Sequence, residues 1–349
     1  MKAIDILGTR LERQSLLSPL ENEERYPEFF RLFQPVPTIY FTRPGDPPSL
    51  FPRTAFDDLA LNDHRRAEGQ ILKGRFAGGG VGYVCEEEFD LYANAFVNPM
   101  RQISEVHSAI LEALRSCGPL APRQLKEETG YLSKQIGPAL NRLQTAFLVF
   151  EDQSEGEWER PFASMEEVRD LTIDPSIHLQ SVCAVIERFL EVHVGATREE
   201  IIGWSRLSRR IVDEAIRRMS ESEIIYLEFV EEMGEVYVLG KDRELSFRGS
   251  IESIFMLDLA DPIIRPQKKA ATARFGDLEV LQYLLINGEI RGAIVGHWRI
   301  GPHDVDDITL DLEPDMCLRL RDGIIDVVAR AYPPPRSNIR RYCGEPIQE

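Results

Sequence analysis

The stretch Leu207-Ser208-Arg209-Arg210-Ile211-Val212-Asp213-Glu214-Ala215-Ile216-Arg217-Arg218-Met219 decides the fold. Ser208 is suited to cap a helix N-terminus, and Ile211, Ala215 and Met219 share one face at helical spacing. Upstream, Thr197 caps a helix over residues 198–204, with Glu200 at the capping-box position. Gly195 stops a still earlier helix marked by Val182, Val185, Ile186, Phe189 and Leu190. Downstream, residues 224–230 and 236–239 flank Met233-Gly234 as a hairpin. Three helices and a hairpin, with a capped third helix, is the winged-helix form of helix-turn-helix.

The same order occurs once before, from Ser104 to about Arg160. Ile103, Val106, Ile110, Leu111 and Leu114 mark a first helix that Gly118-Pro119 ends. Pro122 opens a second, and Gly130 closes it. Ser133 caps a third that carries Ile136, Leu140 and Leu143. Residues 147–150, a Glu-Gly turn and Trp158 complete a hairpin. Leu132-Ser133-Lys134 and Leu207-Ser208-Arg209 hold the same place in the two copies. The expected fold class is α+β: tandem winged-helix repeats with a C-terminal β-barrel-like subdomain. The expected division is an N-terminal α/β segment over 1–100, winged helices over 101–172 and 173–245, and a β-subdomain with a closing helix over 246–349.

The 349 residues leave room for two or three domains, and 43% hydrophobic residues suffice for ordinary cores. The formal net charge is −17. That total disfavours loose binding to nucleic acid, so any such partner must meet a local basic patch. Cysteines 85, 117, 183, 317 and 343 form neither a CxxC pair nor a zinc spacing. They read as reduced thiols, and no metal or cofactor is expected. The first residues carry no secretory signal, and no apolar run approaches the roughly 20 residues that span a bilayer. A soluble, cytoplasmic protein with no membrane partner is expected.

Residues 1–33 look helical, and residues 34–52 are rich in proline and aromatics. Residues 71–76 and 81–84 read as strands around Gly78-Gly79-Gly80. That run lacks the phosphate-loop ending and spacing, so it reads as a tight turn at a close approach. Glu86, Glu88 and Asp90 would share one face of a strand, as an acidic site or as a solvated edge. Beyond residue 240, residues 255–262 are an apolar stretch ending in a turn. Residues 278–286 and 289–299 are strands joined by Asn287-Gly288. Residues 307–312 form another strand, and Pro314 opens a helix to about residue 331.

Candidate contacts to nucleic acid follow from these placements. The third helix of the second repeat carries Arg206, Arg209, Arg210, Arg217 and Arg218 against Asp213 and Glu214. A groove-facing helix needs such residues for phosphates and guanine edges; equally, Arg209–Asp213 and Arg210–Glu214 would pair on a solvated face. The first repeat offers Lys134 and Arg142, with Gly137-Pro138 expected to kink its third helix, and an acidic wing over 151–157. His297 and Arg299 flank Trp298 at the end of a strand.

The two repeats, followed by Asp258-Leu259-Ala260-Asp261-Pro262-Ile263-Ile264-Arg265 and by a strand pair ending in Gly292-Ala293-Ile294-Val295-Gly296-His297-Trp298-Arg299, resemble the crosslink-repair DNA glycosylases of the AlkZ/YcaQ type. Leu140-Asn141-Arg142-Leu143-Gln144 is similar to that family's first repeat. The resemblance covers about residues 101–315. It implies tandem winged helices plus a β-barrel around a concave DNA-binding surface, and metal-free hydrolysis of the N-glycosidic bond of bulky alkylated purines. The family's catalytic Gln-x-Gln or Gln-x-Asp motif is absent, Gln34 and Gln70 being the nearest glutamines, so no catalytic residue is assigned. The reading is a DNA-binding protein, a divergent relative of these glycosylases, whose partner is double-stranded DNA, alkylated or not. The alternative is a non-catalytic winged-helix scaffold with a protein partner, favoured by the acidic first wing. A small-molecule enzyme using residues 73–90 is a third reading.

Overall fold

The structure, a computed structural model, describes residues 1–39, 47–152, 160–276, 278–299 and 303–347. The N-terminal segment contains α1 (Ala3–Arg13), α2 (Tyr26–Leu32), α3 (Asp58–Ala67), the antiparallel pair β1 (Ile71–Arg75) and β2 (Val81–Cys85), and α4 (Phe89–Phe96). Asp57 caps α3 by accepting from the Leu59 N–H at 3.1 Å. Glu86, Glu87 and Glu88 do not continue a strand. They form a helical turn leading into α4, because paired cations sit around them: Arg169 meets Glu86 and Asp90, Arg31 meets Glu87, and Arg188 meets Glu88.

The two repeated units have the expected order. The first is α5 (Glu105–Cys117), α6 (Pro122–Thr129), α7 (Ser133–Thr145), then β3 (Val149–Glu151) paired with β4 (Phe162–Ser164), and a short α8 (Met165–Val168). Ile110, Leu114, Leu125, Ile136, Leu140 and Leu143 form its core. Leu132, rather than Ser133, occupies the cap position of α7, and the Gln135 side chain takes over the capping by accepting the Leu132 N–H at 3.1 Å. The helix includes Pro138 and runs on to Thr145. The wing tip over 153–157, like Trp158, lies outside the described residues; Glu151 is paired with Lys73 at 2.6 Å.

The second unit is α9 (His178–His193), β5 (Gly195–Ala196), α10 (Arg198–Ser205), α11 (Arg209–Glu221), β6 (Ile225–Val230) and β7 (Gly234–Leu239). Both expected caps are present: Thr197 Oγ1 accepts from Glu200 N–H, and Ser208 Oγ accepts from Ile211 N–H at 3.4 Å. β5 adds a third strand to the hairpin, in the order β5-β7-β6. Its core is continuous with the N-terminal segment. Phe76, Val84, Phe89, Tyr92 and Phe96 pack with Val185, Ile186, Phe189, Trp204 and Val212, and Phe189 stacks on Trp204 at 4.5 Å.

The C-terminal segment comprises β8 (Ile254–Asp258), α12 (Ile264–Phe275), β9 (Val280–Ile286), β10 (Glu289–Val295), β11 (Asp307–Leu310), α13 (Pro314–Ala331), β12 (Arg341–Tyr342) and β13 (Glu345–Pro346). The strands form one sheet in the order β13-β12-β11-β10-β9-β8. No pairing among the described residues closes it, so the expected barrel is an open sheet. Helices explain the openness. One face packs Met256, Leu284 and Ile308 against Ile324 and Val328 of α13. The other packs Leu257, Tyr283 and Ala293 against Leu11 of α1 and Ala271 and Phe275 of α12. A sheet whose two faces are both covered by helices need not curl around its own interior. At the β9–β10 turn Asn287 and Gly288 take φ of 52° and 80°, the left-handed pair that a two-residue hairpin demands.

Buried arginines tie the pieces together. Arg10 donates to the His193 and Gly195 carbonyls, both at 2.8 Å. Arg53, fully buried, grips Asp261 with two hydrogen bonds of 2.7 and 3.0 Å and donates to Gln14 Oε1 at 2.7 Å. No helix among the described residues is long and apolar enough to cross a membrane.

Candidate nucleic-acid cleft

All three parts of the fold meet at a cleft of about 460 Å³. The glycine turn between β1 and β2 forms one wall, the Asp258–Arg265 turn and α12 the opposite one, and β9 with Trp298 the floor and rim. Arg206 enters from the second repeated unit. Four cations line it, Arg75, Arg206, Arg265 and Lys268, against two carboxylates, Asp258 and Glu279. That local excess stands out in a chain of net charge −17.

Two close approaches build this wall. α10 and α12 pack so tightly that a methyl on Gly203 would sit 2.5 Å from the Pro266 carbonyl oxygen. This contact sets Arg206, at the end of α10, beside Arg265. Arg206 holds a left-handed φ of 52°, a conformation that costs a side-chain-bearing residue about 1–2 kcal/mol. Its side chain then lies along the glycine turn, where a Cβ on Gly78 would meet Arg206 Cδ at 2.6 Å. The close approach expected at this turn is therefore real, but a side chain makes it.

Arg265 is the unusual member. Its Nε and Nη2 are out of solvent with no acceptor. Burial, and then the neighbouring Arg206, pull its pKa down to about 9. A buried guanidinium without a counter-charge is costly unless something from outside supplies one. Arg75 is held in place by donating to Gln144 Oε1 at 2.7 Å.

Asp258 ends β8 directly opposite Gln282 on β9. Its Oδ1 accepts from the Ala260 N–H at 2.8 Å. Burial, together with Asp261, outweighs the local N–H donors and pushes its pKa up to about 6. Tyr332 OH donates to Gln282 Oε1 at 2.6 Å. At the rim, Glu279 accepts from the Trp298 N–H at 3.1 Å and pairs with His297 Nδ1 at 2.5 Å, which raises the His297 pKa and lowers that of Glu279. Trp298 is left 45% exposed, its ring at the mouth of the cleft.

Of the eight residues singled out in the sequence, Arg206 alone lines this cleft. Arg209 is exposed, 3.6 Å from Glu199, and Arg210 is exposed with no ion pair among the described residues. Arg217 bridges Glu214 and Glu221 at 2.6 and 2.7 Å. The pairs Arg209–Asp213 and Arg210–Glu214 do not form, because Arg198 takes Asp213 at 2.6 Å and Arg217 takes Glu214. Lys134 is exposed on α7. Arg142 donates to the Asn98 and Pro99 carbonyls, fastening the segment that precedes α5. His297 is bound to Glu279 at the rim, and Arg299 is exposed near Asp304. Gln34 is buried, donating to Glu88 and accepting from Cys85 N–H, and takes no part in the cleft. Asp258, Arg265, Lys268, Arg75 and Gln282 carried no site role in the sequence reading. The one available signal was that Asp258 and Arg265 bound the stretch on which the family resemblance rests.

No family model matches the chain. No curated protein matches it. Among solved structures, the Streptomyces sahachiroi DNA glycosylase AlkZ superposes with a TM-score of 0.69 over 98% of this chain and 100% of that one, at 16% sequence identity. From end to end, the chain has the α+β fold of the DNA glycosylase AlkZ.

Proposed function

We propose that this protein binds double-stranded DNA as a divergent, glycosylase-like relative of AlkZ, with the cleft receiving the backbone and one nucleotide. The repeated units over 101–172 and 173–245 read as winged helices between an N-terminal segment over 1–100 and a β-subdomain over 246–349. One observation carries the reading: Arg265, half-buried with its Nε and Nη2 out of solvent and without an acceptor, faces a cleft it shares with Arg206 and Lys268. Successive phosphates of a DNA backbone supply the missing negative charge and an acceptor for each of the three. Trp298 at the mouth offers a surface on which a base can stack. Arg209 and Arg210, exposed at the start of α11, offer further cations for phosphate beside a helix N-terminus. AlkZ is a DNA glycosylase by name, which agrees with a nucleic-acid partner.

Fluorescence anisotropy with a labelled duplex tests the reading. Three neutralised phosphates give a log–log salt slope near −3, at roughly −0.9 each. Absence of salt-sensitive binding at low ionic strength overturns it. A second reading, a protein-binding scaffold, is favoured by the wing strand β6, where Leu227 and Phe229 are 50% and 73% exposed. Changing both to serine leaves duplex binding intact on the DNA reading.

A further inference from the structure

The outer edge of the second unit's wing is open. β6 lies last in the order β5-β7-β6, and among the described residues no strand pairs with its other side. Its sequence, Ile225-Tyr226-Leu227-Glu228-Phe229-Val230, contains no proline or lysine, and its pairing with β7 runs without a bulge. Natural edge strands use such features to prevent further pairing.

The two faces of the hairpin differ. Tyr226, Val230, Val236 and Val238 pack with Ile6 of α1. On the other face, Ile225 and Leu239 are buried with Val212 and Met219 of α11. Leu227 and Phe229 continue the Ile225 row into solvent. Negative charge surrounds this row. Glu223 precedes the strand, Glu231 and Glu232 follow it, and Glu235 stands opposite Phe229 on β7. All four are exposed, and none has an ion pair among the described residues. The nearby cations are already engaged: Arg243 lies on the Tyr226 ring and holds Glu228 at 2.8 Å, and Arg198 holds Asp213.

We propose that this edge captures an extended, basic segment of a partner protein, which adds to β6 as a fourth strand. The inference is independent of the DNA reading, since Arg206, Arg265 and Lys268 take no part in it. Backbone N–H and C=O groups of the segment pair with the outer edge of β6. Residues opposed across a strand pair share a face, so apolar side chains at two alternate positions cover Leu227 and Phe229. Basic residues on either side of them meet Glu223 at one end and Glu231 and Glu232 at the other. The 6 residues of β6 are matched by about 20 Å of extended chain. The same charges disfavour other occupants. The four carboxylates repel phosphate, and a second copy of this chain would bring identical carboxylates against them.

The probe is a fluorescein-labelled peptide, Lys-Arg-Val-Thr-Val-Arg-Lys, titrated with the whole chain and read by anisotropy. Saturable one-to-one binding is expected, weakening as salt is added. A peptide of the same composition with its two valines adjacent is expected to bind at least tenfold more weakly, because only one of them can then reach the Leu227–Phe229 face. N-methylation of one alternate set of peptide amides is expected to abolish binding, and of the other set to leave it intact. Leu227→Ser with Phe229→Ser is expected to lose at least tenfold in peptide affinity. Glu231→Gln with Glu232→Gln is expected to lose about fivefold with an unchanged melting temperature. Should the serine variant fail to fold, the glutamine variant and the peptide series decide. Equal binding of the two valine arrangements means attraction by net charge alone and overturns the proposal. So does absence of binding at low salt, equal loss from both methylation patterns, or a concentration-dependent dimer that the serine variant abolishes. Duplex binding is measured separately, and its failure leaves these outcomes unchanged.

Discussion

Asp261→Ala should unfold the protein more easily than any surface change, and it should do so through Arg53. The Arg53 guanidinium is fully buried, makes two hydrogen bonds to the Asp261 carboxylate, and has an Nε with no acceptor. Removing the carboxylate leaves Gln14 Oε1, at 2.7 Å, as its remaining side-chain acceptor. Leaving a buried charge unpaired in this way costs about 3–5 kcal/mol. With a denaturant slope of about 3 kcal/mol/M, the urea midpoint falls by roughly 1 M or more. Replacing both partners, as Arg53→Met with Asp261→Leu, removes the charge together with its counter-charge and should restore most of the loss. The pair also clamps the turn that carries Asp258 and Arg265, since Asp261 Oδ1 accepts the Ile263 N–H at 2.8 Å and Asp261 N–H donates to the Asp258 carbonyl at 3.0 Å. Duplex affinity should therefore fall with stability in the single variant. Urea unfolding followed by tryptophan fluorescence measures the first effect. A single variant within 1 kcal/mol of wild type refutes the reasoning, because it means the pair is hydrated or unmade in solution.

Asp258→Asn should stabilise the protein at pH 7.5. The wild-type carboxyl is raised from 3.8 to about 6 by burial, so the folded state holds its proton more tightly than the unfolded chain. Its contribution is full below about pH 4 and is lost as pH rises through 6, an amount of about 1–3 kcal/mol. Urea midpoints of the two proteins should accordingly converge at pH 4 and diverge at pH 7.5. Gly203→Ala should cost about 1–3 kcal/mol, because the added methyl meets the Pro266 carbonyl and neither backbone can yield; a thermal melt within a degree of wild type contradicts the close approach of α10 and α12. Changing Arg209 and Arg210 together to alanine should flatten the salt slope of duplex binding by between one and two units. Both are exposed and Arg209 has only a distant partner, so stability should move by less than about 0.5 kcal/mol.

The repeated units were legible because their signals are local. Thr197, Glu200 and Ser208 cap helices through groups three residues away, and Asn287-Gly288 makes its turn by itself. α12 was not legible. Pro266 and the cations Arg265, Lys268 and Lys269 interrupt the apolar rhythm of residues 264–275, and only Ile264, Pro266, Ala271 and Phe275 are buried. The acidic run at 86–88 looked like strand because the arginines that fold it into a turn lie as far away as Arg169 and Arg188. The open sheet was invisible for a similar reason: α1, nearly three hundred residues from β10, covers one of its faces. The cleft is the extreme case. Its cations come from residues 75, 206, 265 and 268, and of these only Arg206 stood out in the sequence, as part of the arginine-rich run around α11. The arginines of α11 drew notice because they are adjacent in sequence, yet Arg217 is spent on Glu214 and Glu221.

The most direct measurement of the central claim compares the wild type with Arg265→Ala/Lys268→Ala for binding of a labelled duplex across a salt series. If the cleft holds the DNA backbone, the double variant should bind at least tenfold more weakly at low salt and its log–log slope should be shallower by about two units. Equal affinity and equal slope in the two proteins would contradict the account.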